Sequence, residues 1–159
     1  MARITASAAA GKTRAQKPHK VSPAPKDFIA QLFQQLSAQD LTSLPANLQS
    51  VIAANYWRFM ARRKPKQTLI RVSNPDLAED GWKSNCTVVE LVQDDMPFLI
   101  DSAMGAINQL GFAVQHMIHP VLRIARDDTG RLLRLLPTEK TSTDAVMESC
   151  IHIQCDEIR

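Results

Sequence analysis

Nine residues, Asp94-Asp95-Met96-Pro97-Phe98-Leu99-Ile100-Asp101-Ser102, restrict this chain more than any others. The run before them, Cys86 to Val92, is Cys-Thr-Val-Val-Glu-Leu-Val and reads as a strand. After them apolar residues fall at Leu99, Ala103, Ile107 and Leu110, which is helical spacing. Pro97 suits the first turn of that helix, where a missing N–H leaves nothing unpaired. Asp94, Asp95 and Asp101 would then sit near the positive end of the helix dipole. The stretch predicts a strand-to-helix corner with a proline start and an acidic collar. A plainer reading also fits, since most such corners only turn the chain.

Charge separates what precedes the corner into two parts. Residues 1 to 26 hold six of the 19 basic residues and no acid. The remainder carries thirteen basic residues against sixteen acids, so the formal +3 of the whole chain hides a mildly acidic body. That balance argues against a nucleic-acid groove in the body; only the tail offers a basic patch. Residues 1 to about 25 are rich in Ala, Ser, Lys and Pro without periodicity, which predicts a disordered tail. A transit peptide has a similar composition, and a plain flexible tail is the simpler reading. Gly11-Lys12-Thr13 ends like a phosphate-binding loop, but Ala6 stands where that loop needs glycine and no strand precedes it.

Asp27 to about Ala38 predicts a helix with Phe28, Leu32 and Leu36 on one face. Ala46 to Arg63 predicts a second, striped by Leu48, Val51, Ile52, Tyr56 and Phe59. Arg62, Arg63 and Lys64 read as its solvated, dipole-complementing end, and Pro65 as its stop. Thr68 to Val72 is a strand. Asn74-Pro75 and Asp80-Gly81 are turns, with Trp82 anchoring the loop on the core. Gly111 closes the corner's helix. Phe112, Val114, His116 and Ile118 alternate on one face of the next strand, which kinks or bulges at His119-Pro120 before resuming at Leu122 and Ile124. Asp127-Asp128-Thr129-Gly130 predicts a hairpin turn, Arg131 to Leu136 its return strand, and Pro137 to Ala145 a polar loop. Ile151, Ile153 and Cys155 alternate with His152, Gln154 and Asp156 in a last strand. From Cys86 onward the order begins the βαββαβ pattern of a ferredoxin-like sandwich, without the second helix and final strand. The fold class is therefore α+β: an incomplete βαββ sandwich behind an N-terminal helical pair and a basic tail. A half-built sandwich leaves one sheet face uncovered, as in the front of something longer.

Little in the chain announces chemistry. Cys86, Cys150 and Cys155 form neither a CxxC nor a paired framework and read as buried thiols of a cytoplasmic protein. His116, His119 and His152 have no metal-ligand spacing. No nucleophile elbow or glycine-rich dinucleotide fingerprint occurs, so no catalytic, cofactor or metal residue is assigned. No apolar run suits a bilayer or a cleaved leader. Glu90, Asp94, Asp95 and Asp101 are the one carboxylate grouping; it could hold a cation or an ammonium group, or simply cap the helix.

Asp95-Met96-Pro97-Phe98-Leu99-Ile100-Asp101 resembles the opening of an ACT domain, an amino-acid-sensing regulatory module whose corner reads Asp-x-Pro-Gly-Leu-Leu. Phe98 stands at the glycine, and its ring would crowd the backbone amides that an amino-acid carboxylate needs. From residue 27 onward the chain is more closely similar to the N-terminal region of the large NAD-specific glutamate dehydrogenases of bacteria. The residues that carry this are Arg71-Val72 with Asn74-Pro75, Gly81-Trp82, Thr87-Val88-Val89-Glu90, Asp94 through Ser102, His119-Pro120, Arg126-Asp127 with Gly130, and Glu148-Ser149. The pattern departs at Cys150, where an aromatic is expected.

The resemblance implies an ACT-like module over residues 67–159, preceded by helices over 26–66 and a tail over 1–25. It implies a full-length enzyme that oxidises glutamate to 2-oxoglutarate and ammonium with NAD, its catalytic residues and NAD site lying far downstream. This chain would then hold no cofactor and serve assembly or regulation, its partners being the rest of the enzyme or other subunits, with no nucleic acid and no membrane. Asp94, Asp95, Met96, Pro97, Phe98, Asp101 and Ser102 are the expected ligand or interface corner. The rival reading is a stand-alone amino-acid sensor or interaction module, with an amino-acid effector at that corner. A weaker one is nucleic-acid binding by the tail.

Overall fold

The computed structural model describes residues 23–137 and 145–158. The basic tail with Gly11-Lys12-Thr13, most of the polar loop, and Arg159 lie outside the described residues.

Three helices come first: α1 (Lys26–Phe33), α2 (Ala38–Ser43) and α3 (Ala46–Phe59). The expected pair is thus a trio. The first helix stops before Ser37, whose side chain caps α2 in a reciprocal box with Asp40, Asp40 N–H donating to Ser37 Oγ at 3.1 Å. The expected stripe of α3 does pack on the core, and Phe28 meets Trp57 with centroids 4.7 Å apart and the rings tilted by 59°. That helix ends at Phe59, not Arg63. Arg63 is drawn away into the end of the sheet, while Arg62 and Lys64 on either side stay exposed.

The strands are β1 (Leu69–Ser73), β2 (Cys86–Asp94), β3 (Val114–Ile118), β4 (Val121–Arg126), β5 (Leu132–Leu136) and β6 (Val146–Asp156), with α4 (Leu99–Gln109) between β2 and β3. They form one antiparallel sheet in the order β1-β2-β6-β4-β5, with β3 also on β6. β3 and β4 run one after the other along the same edge of β6. The break falls at His119-Pro120, where Pro120 cannot donate, but its carbonyl still accepts from Cys150 N–H at 3.0 Å. The hairpin turn stands at Asp127–Gly130, and Gly111, at φ +83°, follows the last turn of α4.

Two expectations about faces change. A bulge between Val114 and His116 breaks the alternation of β3, so Val114 packs under α4 while Ile118 points to the helical layer. The second concerns β6. Ile151, Ile153 and Cys155 face α4 as their period predicts, but Glu148, His152 and Gln154 on the opposite side are buried as well. The helical layer explains this: α1 and α3 lie over that side, and Phe28, Leu32, Ile52, Tyr56, Val88, Val92, Leu122 and Ile124 belong to one cluster. The helices of 26–66 and the sheet thus share a core. On α4's side the face stays partly uncovered, with Ile70 and Val72 of β1 and Met147 of β6 exposed. All three cysteines are buried and free.

Burying polar residues in β6 requires partners. His152 Nδ1 lies 3.1 Å from Glu90 Oε1, and Gln154 Nε2 lies 3.2 Å from the other ring nitrogen. Arg71 Nε donates to Glu90 Oε2 at 2.6 Å, its guanidinium over the Phe59 ring. Burial alone would push the Glu90 carboxyl up; the His152 hydrogen bond and the charges of His152 and Arg71 outweigh that and hold it below the ordinary 4.5. A depressed folded value means Glu90 stabilises the fold above its unfolded pKa and loses that contribution as pH falls through the folded one. Urea midpoints measured down a pH series should therefore drop from about pH 4.5. Glu90→Gln should flatten that limb of the curve, and an unchanged limb would disprove the assignment.

Candidate functional site

The corner forms as the sequence predicts, with one difference in where the helix starts. α4 begins at Leu99, so Pro97 and Phe98 form the turn ahead of it rather than its first turn. Phe98 is the N-cap residue with φ 62° and ψ 13°, a left-handed conformation in which an L side chain crowds its own backbone. Its ring is 78% exposed and Met96 beside it 54% exposed, so neither gains by packing on this chain. Ser102 bonds back, its hydroxyl donating to the Phe98 carbonyl at 2.8 Å. Asp101 and Pro97 are exposed. Phe98→Gly should therefore raise stability by about 1 kcal/mol, since glycine adopts this conformation without the crowding. Chemical denaturation would read the shift, and a loss would mean the ring is held by contacts of this chain.

The acids do not gather. Asp94 ends β2 and pairs with Arg63; Asp95 takes a hydrogen bond from Ser149 Oγ at 2.5 Å and gives its N–H to the Met147 carbonyl. Glu90 is engaged in the interior with His152 and Arg71, and Asp101 points to solvent. The expected carboxylate grouping is thus four acids with four separate environments: Glu90 and Asp94 lie on one face of β2 but pair with different cations, Asp95 follows the strand, and Asp101 stands on α4.

Behind the corner lies a buried ionic cluster that sequence reading missed. Arg63, read as part of a solvated helix end, is only 2% exposed. Its Nε and Nη2 donate to Glu148 Oε1 at 3.1 and 2.8 Å, and Nη2 also reaches Asp94. Arg126 grips the same carboxylate from the other side, Nε to Oε1 at 2.7 Å and Nη2 to Oε2 at 2.8 Å. Glu148 is fully buried between them. Gly130 makes room for the cluster: at φ +81°, a Cβ there would stand 2.3 Å from the Arg63 carbonyl oxygen, and Arg63 N–H donates to the Gly130 carbonyl at 2.9 Å. An open cleft of about 390 Å³ lies against this cluster, edged by Lys66, Asp94 and Asp127.

His119 completes the surroundings. Its Nε2 is buried and has no hydrogen-bond partner among the described residues. Burial holds the imidazole below its usual value, and the charge of Asp95 pulls it part of the way back. So most of the polar groups behind the corner are satisfied within the chain, and outward it shows Met96 and Phe98 beside the exposed Asp95 and Asp101. His119, Arg126, Glu148 and Ser149 were among the residues that carried the resemblance, without a role. Their common address behind the corner was not visible in a linear sequence.

Comparison with known proteins gives this arrangement a family. A family described as "Glutamate dehydrogenase, ACT1 domain" matches residues 28–159. The chain belongs to that family. An NAD-specific glutamate dehydrogenase of Halomonas elongata is 38% identical over 100 residues, 63% of this chain and 6% of the relative. The NAD-specific glutamate dehydrogenase of Pseudomonas aeruginosa is 31% identical over 129 residues, 81% of this chain and 8% of the relative. The chain therefore spans less than a tenth of either relative. No solved structure matches. The ACT1 assignment agrees with the sheet and with α4 packed on it. This ACT1 chain departs from the expected aromatic at Cys150, which is fully buried in the core that α3 and β2 share. Among the described residues, no helix is long and apolar enough to cross a membrane.

Proposed function

We propose that this chain is a non-catalytic assembly and regulatory module of an NAD-dependent glutamate dehydrogenase. The full-length enzyme would convert glutamate, NAD and water to 2-oxoglutarate, ammonium and NADH, with NAD bound outside residues 1–159. The partners would be the remainder of that enzyme and its other subunits, in the cytoplasm. Phe98 carries the reading. A large exposed ring held in a costly backbone conformation earns nothing inside this chain, which favours a contact made with something else. Most polar groups behind it are committed to one another, while the side chains of Met96 and Phe98 stand outward and apolar.

The test is Phe98→Asp in the full-length enzyme. The oligomer should weaken, with dissociation at protein concentrations where the parent stays assembled, while kcat of the assembled fraction stays within about twofold. Unchanged assembly and unchanged response to effectors would refute the proposal.

One observation favours a second reading, an amino-acid effector at the same corner. His119 Nε2 is a buried nitrogen without a hydrogen-bond partner among the described residues, and it feels the charge of Asp95. Calorimetry against a panel of amino acids decides this reading. Heat that His119→Ala abolishes would support it, and silence across the panel would end it.

A further inference from the structure

The cleft against the ionic cluster is one positive charge short. Its lining brings Arg63, Arg126 and Lys66 together with Asp94, Asp127 and Asp128, and Glu148 lies beneath. Among the described residues, four carboxylates there face three cations. Both guanidiniums are already spent. Arg63 is held by Glu148, Asp94 and the Gln67 carbonyl, and Arg126 by Glu148 and the carbonyls of Met60 and Gly130.

The acids at the edge are not spent. Asp128 has no hydrogen bond or ion pair among the described residues. Asp127 uses one oxygen, Oδ1, to accept from the Thr129 N–H at 2.9 Å, the Thr129 hydroxyl at 2.7 Å and the Arg131 N–H at 3.0 Å. Asp94 likewise meets Arg63 through Oδ1 alone. Lys66, at the rim, offsets one of these acids, and Pro65 and Val146 add apolar wall. Such a cleft, of about 390 Å³, fits a lysine or arginine side chain, its stem on the apolar wall and its head among carboxylate oxygens.

The chain itself carries a matching segment. Arg3, Lys12, Arg14, Lys17 and Lys20 precede residue 23 with no acid among them, while the body from residue 27 is net acidic. This segment lies ahead of the family match, which begins at residue 28. Reach does not limit it. Fully extended, the run from Pro23 back to Lys12 spans about 36 Å, and back to Arg3 about 66 Å. A body of this size is about 36 Å across, so about 57 Å round its surface reaches any point on it.

We propose that the basic segment before residue 23 docks on this cleft of its own chain, placing one lysine or arginine side chain among Asp94, Asp127 and Asp128. The added cation brings the cleft to neutrality. Tethering supplies a high local concentration, so a contact too weak to join two molecules holds within one. A partner that brings its own cation to the cleft has to displace the tail first. The proposal concerns the 159-residue chain by itself and does not need the rest of an enzyme.

The experiment treats the whole chain, an equal mixture of isotopically heavy and light copies, with a zero-length carbodiimide that joins lysine amines to carboxylates. Peptide mass spectrometry maps the joined residues. Lys12, Lys17 or Lys20 should be found on Asp94, Asp127 or Asp128, within one copy and at every protein concentration. The yield should fall about fivefold between about 20 and about 300 mM NaCl, as exposed charges are screened. Links spread evenly over the exposed Asp76, Glu79 and Asp101 would overturn the proposal. Links only between heavy and light copies would overturn it in favour of a second copy's tail. Arginine is not joined by carbodiimide, so a second measurement covers it. Replacing Arg3, Lys12, Arg14, Lys17 and Lys20 by Gln should move the amide resonances of Asp127, Asp128 and Gly130 and leave those of Asp101 and Ser102 in place. Unmoved resonances at the cleft would overturn the proposal for either side chain.

Discussion

Glu148→Leu is expected to destabilise the folded chain by about 3–5 kcal/mol, enough to leave it largely unfolded at moderate urea. The carboxylate is wholly buried and holds two guanidiniums, Arg63 and Arg126, through four hydrogen bonds. Removing it strands two cations in the interior, and the remaining acid, Asp94, reaches only Arg63. Desolvated charge without a partner is what makes broken buried pairs costly. Asp94→Asn should cost at most about 1 kcal/mol, because that side chain is half in water and screened. A triple change, Arg63→Met with Arg126→Met and Glu148→Leu, removes the three buried charges together, leaves only the half-exposed Asp94, and should recover much of the loss. Urea denaturation gives all three values, provided the slope with denaturant stays constant. A single Glu148→Leu variant as stable as the parent would show that water reaches the cluster.

Deleting residues 1–66 should abolish cooperative folding of the sheet. The deletion uncovers Val88, Val92, Leu122, Ile124 and Cys150, which share their cluster with Phe28, Leu32, Ile52 and Tyr56. It also removes Tyr56, whose hydroxyl donates to the Leu91 carbonyl at 2.7 Å and the Ile151 carbonyl at 3.2 Å, tying the helices to β2 and β6. It takes Arg63 from the ionic cluster as well. Exposing a whole sheet face leaves buried Glu90 and His152 without cover and forfeits the burial that balances chain entropy. The remaining chain should bind hydrophobic dye and lose its sigmoidal urea transition. A fragment that keeps the parent's midpoint would show that the helical layer is an ornament on an independent module.

Local signals carried much of this fold, and contacts made across the chain carried the rest. The corner at residues 94–102, the hairpin at Asp127–Gly130, and the stripe of α3 each rest on neighbours in sequence, so period and turn chemistry reveal them. The capping box of Ser37 and Asp40 was equally readable as Ser-x-x-Asp, and attending to it would have given three helices. Arg63 was not readable. In sequence it is the middle of a basic run after a helix, and only the approach of β4, β6 and the Gly130 turn makes that position an interior one. His152 and Gln154 mislead for the same reason: alternation tells which residues share a face, and says nothing of whether another layer covers it. The bulge at β3 breaks the period that placed Val114 with Ile118. At Phe98 the comparison of sequence with the ACT corner located the position, but the left-handed backbone became evident only in three dimensions.

The most direct test of the account is NADH formation by the purified 159-residue chain given glutamate and NAD, beside the full-length enzyme. Turnover is expected from the full-length enzyme and none from the short chain, folded and at equal molarity. Glutamate-dependent NADH formation by the short chain would contradict it, because a reacting centre would then have to lie within residues 1–159.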